Sequence, residues 1–310
     1  MSGIGERFLR MKRCEYWVIA WRKRCGSRTV FHDQSGFQLL PQKRYITQAD
    51  PFLFTYQGKN WLFYERQDLT DMKGTLWCRN LDEPKEKPYL VLEEPFHLSY
   101  PQVFQYGKYM YLLPETRNAG EVRLYRCVRF PGEWERVTQL FPLSAVDTTL
   151  TFSAELPEGY AGSRQGEESC FAFTYTEGRL ELYHFGLEKE RFRPGGIKRI
   201  YVSDCSKVVR PGGRVFTEGQ KVYRPAQNCT DYYGQELILY EIDRLDEQVF
   251  AEHETFRLLP EQFSIPQVNP VGIHTYNRNA DYEVIDVLHR EVSLRTIGKK
   301  IEWKCRGSRG

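Results

Sequence analysis

Three carboxylates stand beside extended segments that resemble one another in sequence. Asp50 precedes the run Pro51-Phe-Leu-Phe-Thr-Tyr56, Asp147 precedes Thr148-Thr-Leu-Thr-Phe152, and Glu115 ends the run Tyr111-Leu-Leu-Pro-Glu115. Two carboxyl groups that face one bond can divide acid–base work, because one protonates a leaving oxygen while the other acts as base or nucleophile. Asp50, Glu115 and Asp147 are therefore candidate catalytic residues. The alternative for each is a carboxylate that caps a turn or a strand end.

Polar residues later in the chain have the chemistry of a binding site. Arginine offers rigid bidentate donors for phosphate or carboxylate, asparagine and glutamine bind sugar hydroxyls, and histidine exchanges protons near neutral pH. A tyrosine at an apparent strand end can stack on a sugar ring. The candidate binding residues are Tyr100, Arg210, Arg214, Arg224, Gln227, Asn228 and His274. Two alternatives stay open: the arginines are strand-edge charges that pair with Glu218, Asp231 and Glu236, and His274 is a structural histidine.

A repeat indicates which elements must position these side chains. Pro51-Phe-Leu-Phe-Thr-Tyr56 and Pro101-Gln-Val-Phe-Gln-Tyr106 are offset by 50 residues, and each is followed by a glycine-containing turn and a second apolar run. Alternating apolar residues around such a turn are typical of a β-hairpin. Three further units of this kind follow at similar spacing, and five regular β units indicate propeller blades.

We therefore predict an all-β fold, a five-bladed β-propeller whose ring is closed by an N-terminal strand at residues 15–21. Residues 1–44 would form an N-terminal segment with this strand, residues 45–290 the propeller, and residues 291–310 a C-terminal extension. No long amphipathic helix is expected. Because the first strand of each blade lines the central channel, residues at the blade starts should converge at one mouth of it.

The chain resembles known families at specific motifs. Ala49-Asp-Pro-Phe-Leu-Phe54 with Gly58-Lys-Asn-Trp-Leu-Phe-Tyr-Glu65 resembles the first blade of glycoside hydrolases of families 43 and 32, which implies that Asp50 is a base or nucleophile. Residues 45–290 more closely resemble the N-terminal propeller of plant glucosamine inositolphosphorylceramide transferase and its bacterial relatives. The motifs that carry this resemblance are His97-Leu-Ser-Tyr-Pro-Gln-Val-Phe104, Leu113-Pro-Glu-Thr116, Val146-Asp-Thr-Thr149, Arg210-Pro-Gly-Gly-Arg214, Tyr223-Arg-Pro-Ala-Gln-Asn228 and Gly272-Ile-His-Thr-Tyr-Asn277.

The chain departs from the family 43 pattern at two positions. Those hydrolases carry an auxiliary aspartate at the start of blade 2, where this chain has Ser99-Tyr100-Pro101, and a general-acid glutamate in a later blade, where blade 3 offers Asp147. The hydrolase triad therefore cannot be transferred whole. Glu115 is the candidate acid, and Asp147 is a candidate orienting group.

Composition excludes several classes of protein. The chain has 44 basic and 41 acidic residues and a formal net charge of +3, which argues against a dedicated nucleic-acid partner. It contains no apolar run of the length that a transmembrane segment needs and no secretory leader pattern, so a cytoplasmic location with reduced thiols is expected. None of the eight cysteines forms a Cys-x-x-Cys pair. No cofactor is predicted, although aspartates around a narrow channel could hold a divalent cation.

Basic residues also cluster near the N-terminus. They form either a solvated edge or a weak contact with an anionic surface. These residues are Arg7, Arg10, Lys12, Arg13, Arg22, Lys23 and Arg24.

Three functions are compatible with these patterns. The first is a glycoside-hydrolase-like enzyme with an acidic channel site, acting on an anionic or phosphate-linked glycan. The second is a sugar-transferring or glycan-binding accessory domain in cytoplasmic glycolipid or surface-polysaccharide synthesis, with a glycosyltransferase partner. The third is a non-catalytic interaction propeller, which the absence of WD-type repeat signatures disfavours.

Overall fold

The computed structural model describes residues 13–26, 29–69, 72–160, 168–204 and 208–307. Within these residues, five antiparallel sheets are arranged as five blades around a channel. Two strands, β1 (Arg13–Lys23) and β2 (Gln38–Leu39), precede the first complete blade. The predicted five-bladed propeller is confirmed.

Blades 1 to 4 follow one another along the chain, and each begins at the channel and proceeds outward. Blade 1 contains β3 (Ile46–Tyr56), β4 (Lys59–Asp68), β5 (Gly74–Asn80) and β6 (Tyr89–Leu92). Blade 2 contains β7 (Ser99–Tyr106), β8 (Tyr109–Glu115), β9 (Val122–Arg129) and β10 (Glu133–Phe141). Blade 3 contains β11 (Val146–Phe152), β12 (Ser169–Thr176), β13 (Arg179–Leu187) and β14 (Pro194–Val202). Blade 4 contains β15 (Arg210–Pro211), β16 (Phe216–Glu218), β17 (Lys221–Asn228), β18 (Glu236–Leu245) and β19 (Phe250–Leu258).

Blade 5 joins the two ends of the chain. Its inner strands are β20 (Pro270–Arg278) and β21 (Tyr282–Val292), and the sheet order is β2-β1-β21-β20. β1 pairs with β21 along its whole length, from Arg13 opposite Val292 to Lys23 opposite Tyr282. The predicted closure by an N-terminal strand is confirmed, and the segment before residue 45 supplies two strands of the propeller.

Large apolar side chains fill the space between neighbouring blades. Phe104 of blade 2 packs against Phe152 and Phe192 of blade 3, with ring centroids 5.3 and 5.0 Å apart. Alternation along each strand directs these rings to one face, because successive residues of a strand point to opposite sides. The blades are thereby held at fixed angles, and this fixes the channel-facing residues of each inner strand.

The C-terminal extension contains helix α1 (Leu294–Gly307), which the sequence analysis did not predict. Ser293 precedes it, and its Oγ accepts a long hydrogen bond of 3.4 Å from the backbone N–H of Thr296, as residues that cap helix N-termini do. Three short 3₁₀ turns complete the described secondary structure, at Arg117–Ala119, Ser153–Glu155 and Pro260–Gln262. No described helix is long and apolar enough to cross a membrane.

Candidate functional site

A β-bulge occurs at the same position in the inner strands of blades 1, 2 and 3. The pairing register shifts between Ala49 and Phe52, between Ser99 and Gln102, and between Val146 and Thr149. The first residue within each bulge adopts the left-handed conformation, with φ of 52° at Asp50, 50° at Tyr100 and 50° at Asp147. A non-glycine residue in this region costs about 1 to 2 kcal/mol, and such bulges are common beside active sites. The repeated bulge therefore marks the channel mouth as the candidate site.

Hydrogen bonds from neighbouring blades hold the bulge of blade 1. The backbone N–H of Asp50 donates to the Asp286 carboxylate of blade 5 at 2.7 Å. Asp50 in turn accepts a bond of 3.1 Å from the backbone N–H of Tyr100 in blade 2 and one of 3.1 Å from the hydroxyl of Thr275. Asp50 is thus a link between three blades as well as a candidate catalytic group.

His274 lies beside Asp50 and is fixed on three sides. Its Nδ1 is 2.7 Å from Oδ1 of Asp286, and its Nε2 is 3.5 Å from Oδ1 of Asp50. The indole of Trp17 stacks on the imidazole, with ring centroids 3.8 Å apart and planes 16° from parallel. Burial alone lowers the pKa of His274, but the charges of Asp286 and Asp50 outweigh it and leave this pKa above its ordinary value. His274 is therefore a buried histidine held between two carboxylates and an indole ring.

A cavity of about 180 Å³ opens at this mouth of the channel. It is lined by side chains from blades 1, 2, 4 and 5. The lining residues are Trp17, Thr47, Ala49, Asp50, Glu65, Gln67, His97, Ser99, Glu115, Arg210, Tyr233 and His274. The structure thus brings together Asp50, Glu115, Arg210 and His274 from the predicted set.

The carboxylates in the cavity differ in their protonation. Burial raises the pKa of Asp50 to about 6, with the charges of Asp147 and Asp286 adding to the rise and His274 opposing it. Burial raises the pKa of Glu65 well above its usual range, helped by the charges of Asp50 and Glu115. The pKa of Glu115 is also raised well above its usual range, first by burial and then by the charge of Asp147, while the charge of Arg210 opposes the rise. The cavity therefore contains a carboxylate with a pKa of about 6 beside two carboxyl groups whose pKa values burial raises, and carboxyl groups with different pKa values are what acid–base catalysis needs.

Asp147 is placed behind these groups and has its own partners. Its Oδ2 accepts a bond of 2.6 Å from Nε of Arg210 and one of 2.8 Å from the side-chain amide of Gln227. The Arg210 guanidinium also lies 5.1 Å from the ring centroid of Tyr233. Asp147 and Gln227 thereby orient Arg210 toward the cavity, which agrees with the orienting role considered for Asp147.

Three of these residues could also hold a metal ion. One donor atom from each of Asp50, His274 and Asp286 lies within 4.8 Å of the others. However, Nδ1 of His274 is already bonded to Oδ1 of Asp286, while Nε2 of His274 faces Asp50. Coordination through Nδ1 would have to replace the bond to Asp286.

Four residues of the predicted binding set lie elsewhere. Tyr100 is fully buried, and its hydroxyl accepts the backbone N–H of Gly213 at 2.7 Å, so its ring is not a surface for sugar stacking. Arg224 is 1% exposed and forms a two-pronged ion pair with Glu252 at 2.6 and 2.7 Å.

Arg214 and Asn228 also have protein partners. Arg214 pairs with Glu155 at 3.1 Å, and the amide of buried Asn228 donates to Glu236 at 2.6 Å. The expected cluster of three arginines is therefore reduced to Arg210, because ion pairs with Glu155 and Glu252 hold Arg214 and Arg224 outside the cavity.

Several residues of the site were outside the predicted set. Glu65 occupies the blade 1 position that Glu115 occupies in blade 2, since each lies opposite the residue before a bulge. The repeat therefore held the signal for Glu65. Trp17 reaches the cavity only through the pairing of β1 with β21, for which no local motif exists. Asp286 lies behind the cavity, where the β20–β21 hairpin places it opposite Thr275 and beside His274. His97 lies in a motif that was noted for its resemblance, and its Nε2 is 3.5 Å from Oε1 of Glu65.

Gly234 shapes the aromatic wall of the cavity. A Cβ on this residue, which has a φ of +69°, would lie 2.4 Å from the Trp17 ring. We expect Gly234→Ala to lower the free energy of unfolding by about 3 kcal/mol, because overpacking adds to left-handed strain. Gly178→Ala is the matched control, since Gly178 has a φ of +83° but open space around its Cβ, and it should lose only about 1 kcal/mol. Urea unfolding of both variants measures the difference, and equal losses would contradict the predicted clash.

Solved structures match the architecture. The catalytic domain of the family GH62 α-L-arabinofuranosidase from Coprinopsis cinerea superposes with a TM-score of 0.57 at 10% sequence identity, covering 88% of this chain and 97% of the enzyme domain. A GH62 hydrolase in complex with xylotriose gives a TM-score of 0.53 at 13% identity, covering 84% and 85% of the two chains. At these identities the comparison establishes the propeller fold.

Sequence relatives identify the family. The model of the N-terminal region of glucosamine inositolphosphorylceramide transferase 1 matches residues 42–266. The proteins of that name from rice (Oryza sativa subsp. japonica) and Arabidopsis thaliana are 32% and 29% identical over 209 residues, which is 66% of this chain. The chain spans about a quarter of the length of these relatives, 27% in each case. The chain belongs to the family of the N-terminal domain of glucosamine inositolphosphorylceramide transferase 1.

Proposed function

We propose that the channel cavity is a carbohydrate-active acid–base site that acts on a phosphate-linked glycan. The observation that carries the proposal is the meeting of Asp50 and Glu115 in one small cavity with their pKa values raised to different extents. Asp50 would act as base or nucleophile, since it ionises near pH 6, and Glu115 would donate a proton. Asp147 would hold Arg210 in position rather than exchange protons itself.

Arg210 supports an anionic substrate. Its Nε is used by Asp147, and its two terminal nitrogens remain to receive a phosphate in the fork geometry that guanidinium groups favour. The relatives are named for an inositolphosphoryl group, which is an anionic, phosphate-linked acceptor. Tyr233, which is 47% exposed, stands at the mouth beside Arg210 and offers a ring face for a sugar.

The second candidate function is sugar transfer or glycan binding within a larger glycosyltransferase assembly. It is favoured by the names of the relatives, which are transferases and are far longer than this chain. In this case the same cavity would position an acceptor, and the chemistry would need a partner domain. The two functions differ in whether the isolated chain turns over substrate.

A glycoside panel tests the proposal. Glucosaminyl inositol phosphate, the same glycoside without phosphate, and xylotriose would be titrated into the chain by calorimetry and assayed for released sugar. We expect the phosphate-linked glycoside to bind about tenfold more tightly than its neutral counterpart, and Arg210→Gln to remove this preference. Arg214→Gln is the matched control, because that arginine is outside the cavity and should leave the preference intact.

The panel also separates the alternatives. Binding without sugar release favours the accessory function, whereas binding to xylotriose alone contradicts a phosphate-linked substrate. The proposal includes no resident cation, since Asp286 accepts from His274 and from the backbone of Asp50, and Nε2 of His274 faces the Asp50 carboxylate. Calcium and a chelator should therefore give equal affinities.

A further inference from the structure

Helix α1 presents apolar side chains to solvent. Leu294 is 67% exposed and Ile301 is 56% exposed, and their separation of seven residues places them on the same side of the helix, two turns apart. Val292, immediately before the helix, is 55% exposed. A globular protein usually buries the apolar side of a terminal helix against its core. Leu294 and Ile301 are instead turned to solvent.

Two described polar residues of α1, Thr296 and Lys300, contact the propeller. Thr296 is fully buried, and its hydroxyl lies 3.4 Å from the Tyr45 hydroxyl and 3.2 Å from Oγ of Ser293. Nζ of Lys300 donates to the backbone carbonyl of Arg13 at 2.6 Å. These contacts fix which side of the helix is turned outward, so the exposed apolar side is a built feature of the surface.

The surroundings of this side are strongly basic. The sequence of α1 contains five lysine and arginine residues and one acidic residue. Arg13, Arg44 and Arg290 lie nearby, with Glu15 and Glu291 as their acidic partners. Positive charge is therefore in excess around the apolar residues.

A groove of about 730 Å³ runs between α1 and blade 5. Apolar side chains, among them Val18, Leu39 and Val268, share its walls with Arg44, Arg290 and Arg295. A groove of this composition can take a negatively charged headgroup at the arginines and the start of an acyl chain against the apolar wall.

We infer that α1 and this groove form a docking surface for an anionic lipid membrane. An exposed apolar stripe bordered by basic residues is the pattern of helices that lie in the plane of a bilayer interface. A protein partner or a second copy would need acidic complementarity to the same excess of positive charge, whereas an anionic bilayer supplies that charge together with an apolar layer.

The topology places this surface on the side of the propeller where the candidate site opens. α1 follows the end of β21, and that end lies opposite the start of the inner strand β20, with His289 paired to Pro270. Asp50 and Glu65 likewise lie toward the start of β3 and the end of β4. Docking through α1 would therefore turn the cavity mouth toward the membrane, although the inference does not depend on the proposed chemistry.

Vesicle flotation of the full chain tests the inference. The vesicles contain either phosphatidylcholine alone or phosphatidylcholine mixed with phosphatidylserine. We expect at least about tenfold more chain to float with the anionic vesicles, and added salt to weaken this binding. The double variant Leu294→Glu/Ile301→Glu should lose about tenfold or more of the binding, since it places charge in the interface. Both residues are exposed, so circular dichroism should show an intact fold.

Val128→Glu/Val137→Glu is the matched control, because these valines of blade 2 are 62% and 40% exposed and lie away from α1. It should float as the unmodified chain does. Equal flotation with both kinds of vesicle, or unchanged flotation of the α1 variant, would overturn the inference. So would displacement by soluble glycerophosphoserine at the concentration of accessible phosphatidylserine, which would indicate a site for a free phosphate ester. Dimers that the α1 variant abolishes, without vesicle binding, would identify a second copy as the occupant.

Discussion

Asp50→Asn should reduce turnover of the phosphate-linked glycoside by about a thousandfold, the effect typical of losing a positioned acid or base. Asparagine keeps the size and one acceptor oxygen of the aspartate but cannot take up a proton. Because Asp50 ionises near pH 6, kcat/KM of the unmodified chain should rise as the pH increases through about 6. It should fall again at higher pH as Glu115, whose pKa burial raises, loses its proton. In Asp50→Asn, the rise of kcat/KM through about pH 6 should be absent.

The same substitution should leave the fold intact. The pKa of Asp50 in the folded state, about 6, is above its usual value of 3.8, so the folded state binds this proton more tightly than the unfolded state does. The stability contributed by the protonated form is full below pH 4 and is lost as the pH rises to about 6, a loss on the order of 3 kcal/mol. Asparagine carries no charge and escapes this loss. Part of this gain in stability is offset. The two carboxylate oxygens of Asp50 accept hydrogen bonds from Tyr100 and Thr275, and asparagine has only one oxygen that can accept.

We therefore expect the free energy of unfolding of Asp50→Asn at pH 8 to equal or exceed that of the unmodified chain. Chemical unfolding beside steady-state kinetics measures both effects. Asp231→Asn, at an exposed loop carboxylate, is the control and should change neither activity nor stability. Turnover by Asp50→Asn at the original rate would remove Asp50 from the mechanism. Loss of fold together with activity would instead reduce Asp50 to its bridging role between blades.

The fold was accessible from sequence because a propeller repeats its signal. Pro51 and Pro101 occupy equivalent positions in the bulges of β3 and β7, and each hairpin carries its own turn and its own apolar alternation. Even the closing strand was predictable, since an isolated β pattern at the N-terminus needs a partner and the last blade lacks strands. Helix α1 escaped prediction because its apolar residues are few and two of them, Leu294 and Ile301, face solvent, so the segment does not show the pattern of a core-packing helix.

The candidate site was only partly accessible, and the physical reason differs between residues. Asp50 and Asp147 were identified because blade starts converge, and Glu115 because it ends an equivalent strand. Arg224 was misplaced because sequence shows that a residue lies on a strand but not which blade face its side chain takes. Asp286 was missed because its role comes from a hydrogen bond that it accepts from the backbone N–H of Asp50, and this contact exists only once blade 5 meets blade 1.

Ring closure also carries the largest expected effect on stability. Arg22 of β1 and Glu283 of β21 are 3% and 0% exposed, and Nε of Arg22 donates to Oε2 of Glu283 at 2.6 Å. Arg22 also donates to the backbone carbonyls of Asp33 and Ser35, each at 2.8 Å. Arg22→Met should therefore lower the free energy of unfolding by about 3 to 5 kcal/mol, because it leaves a buried carboxylate without its counter-charge.

Two comparisons separate the effect of the unpaired Glu283 carboxylate from the loss of Arg22 packing. Arg126→Met breaks the exposed pair of Arg126 with Glu135, whose side chains are 34% and 46% exposed, and should lose no more than about 1 kcal/mol. The double variant Arg22→Met/Glu283→Gln removes the stranded charge and should recover part of the stability that Arg22→Met loses, as measured by urea unfolding. If the double variant is no more stable than Arg22→Met, the loss arises from the carbonyl contacts of Arg22. Arg22 would then stabilise the closing strand through its hydrogen bonds to residues 33–35 rather than through the charge of Glu283.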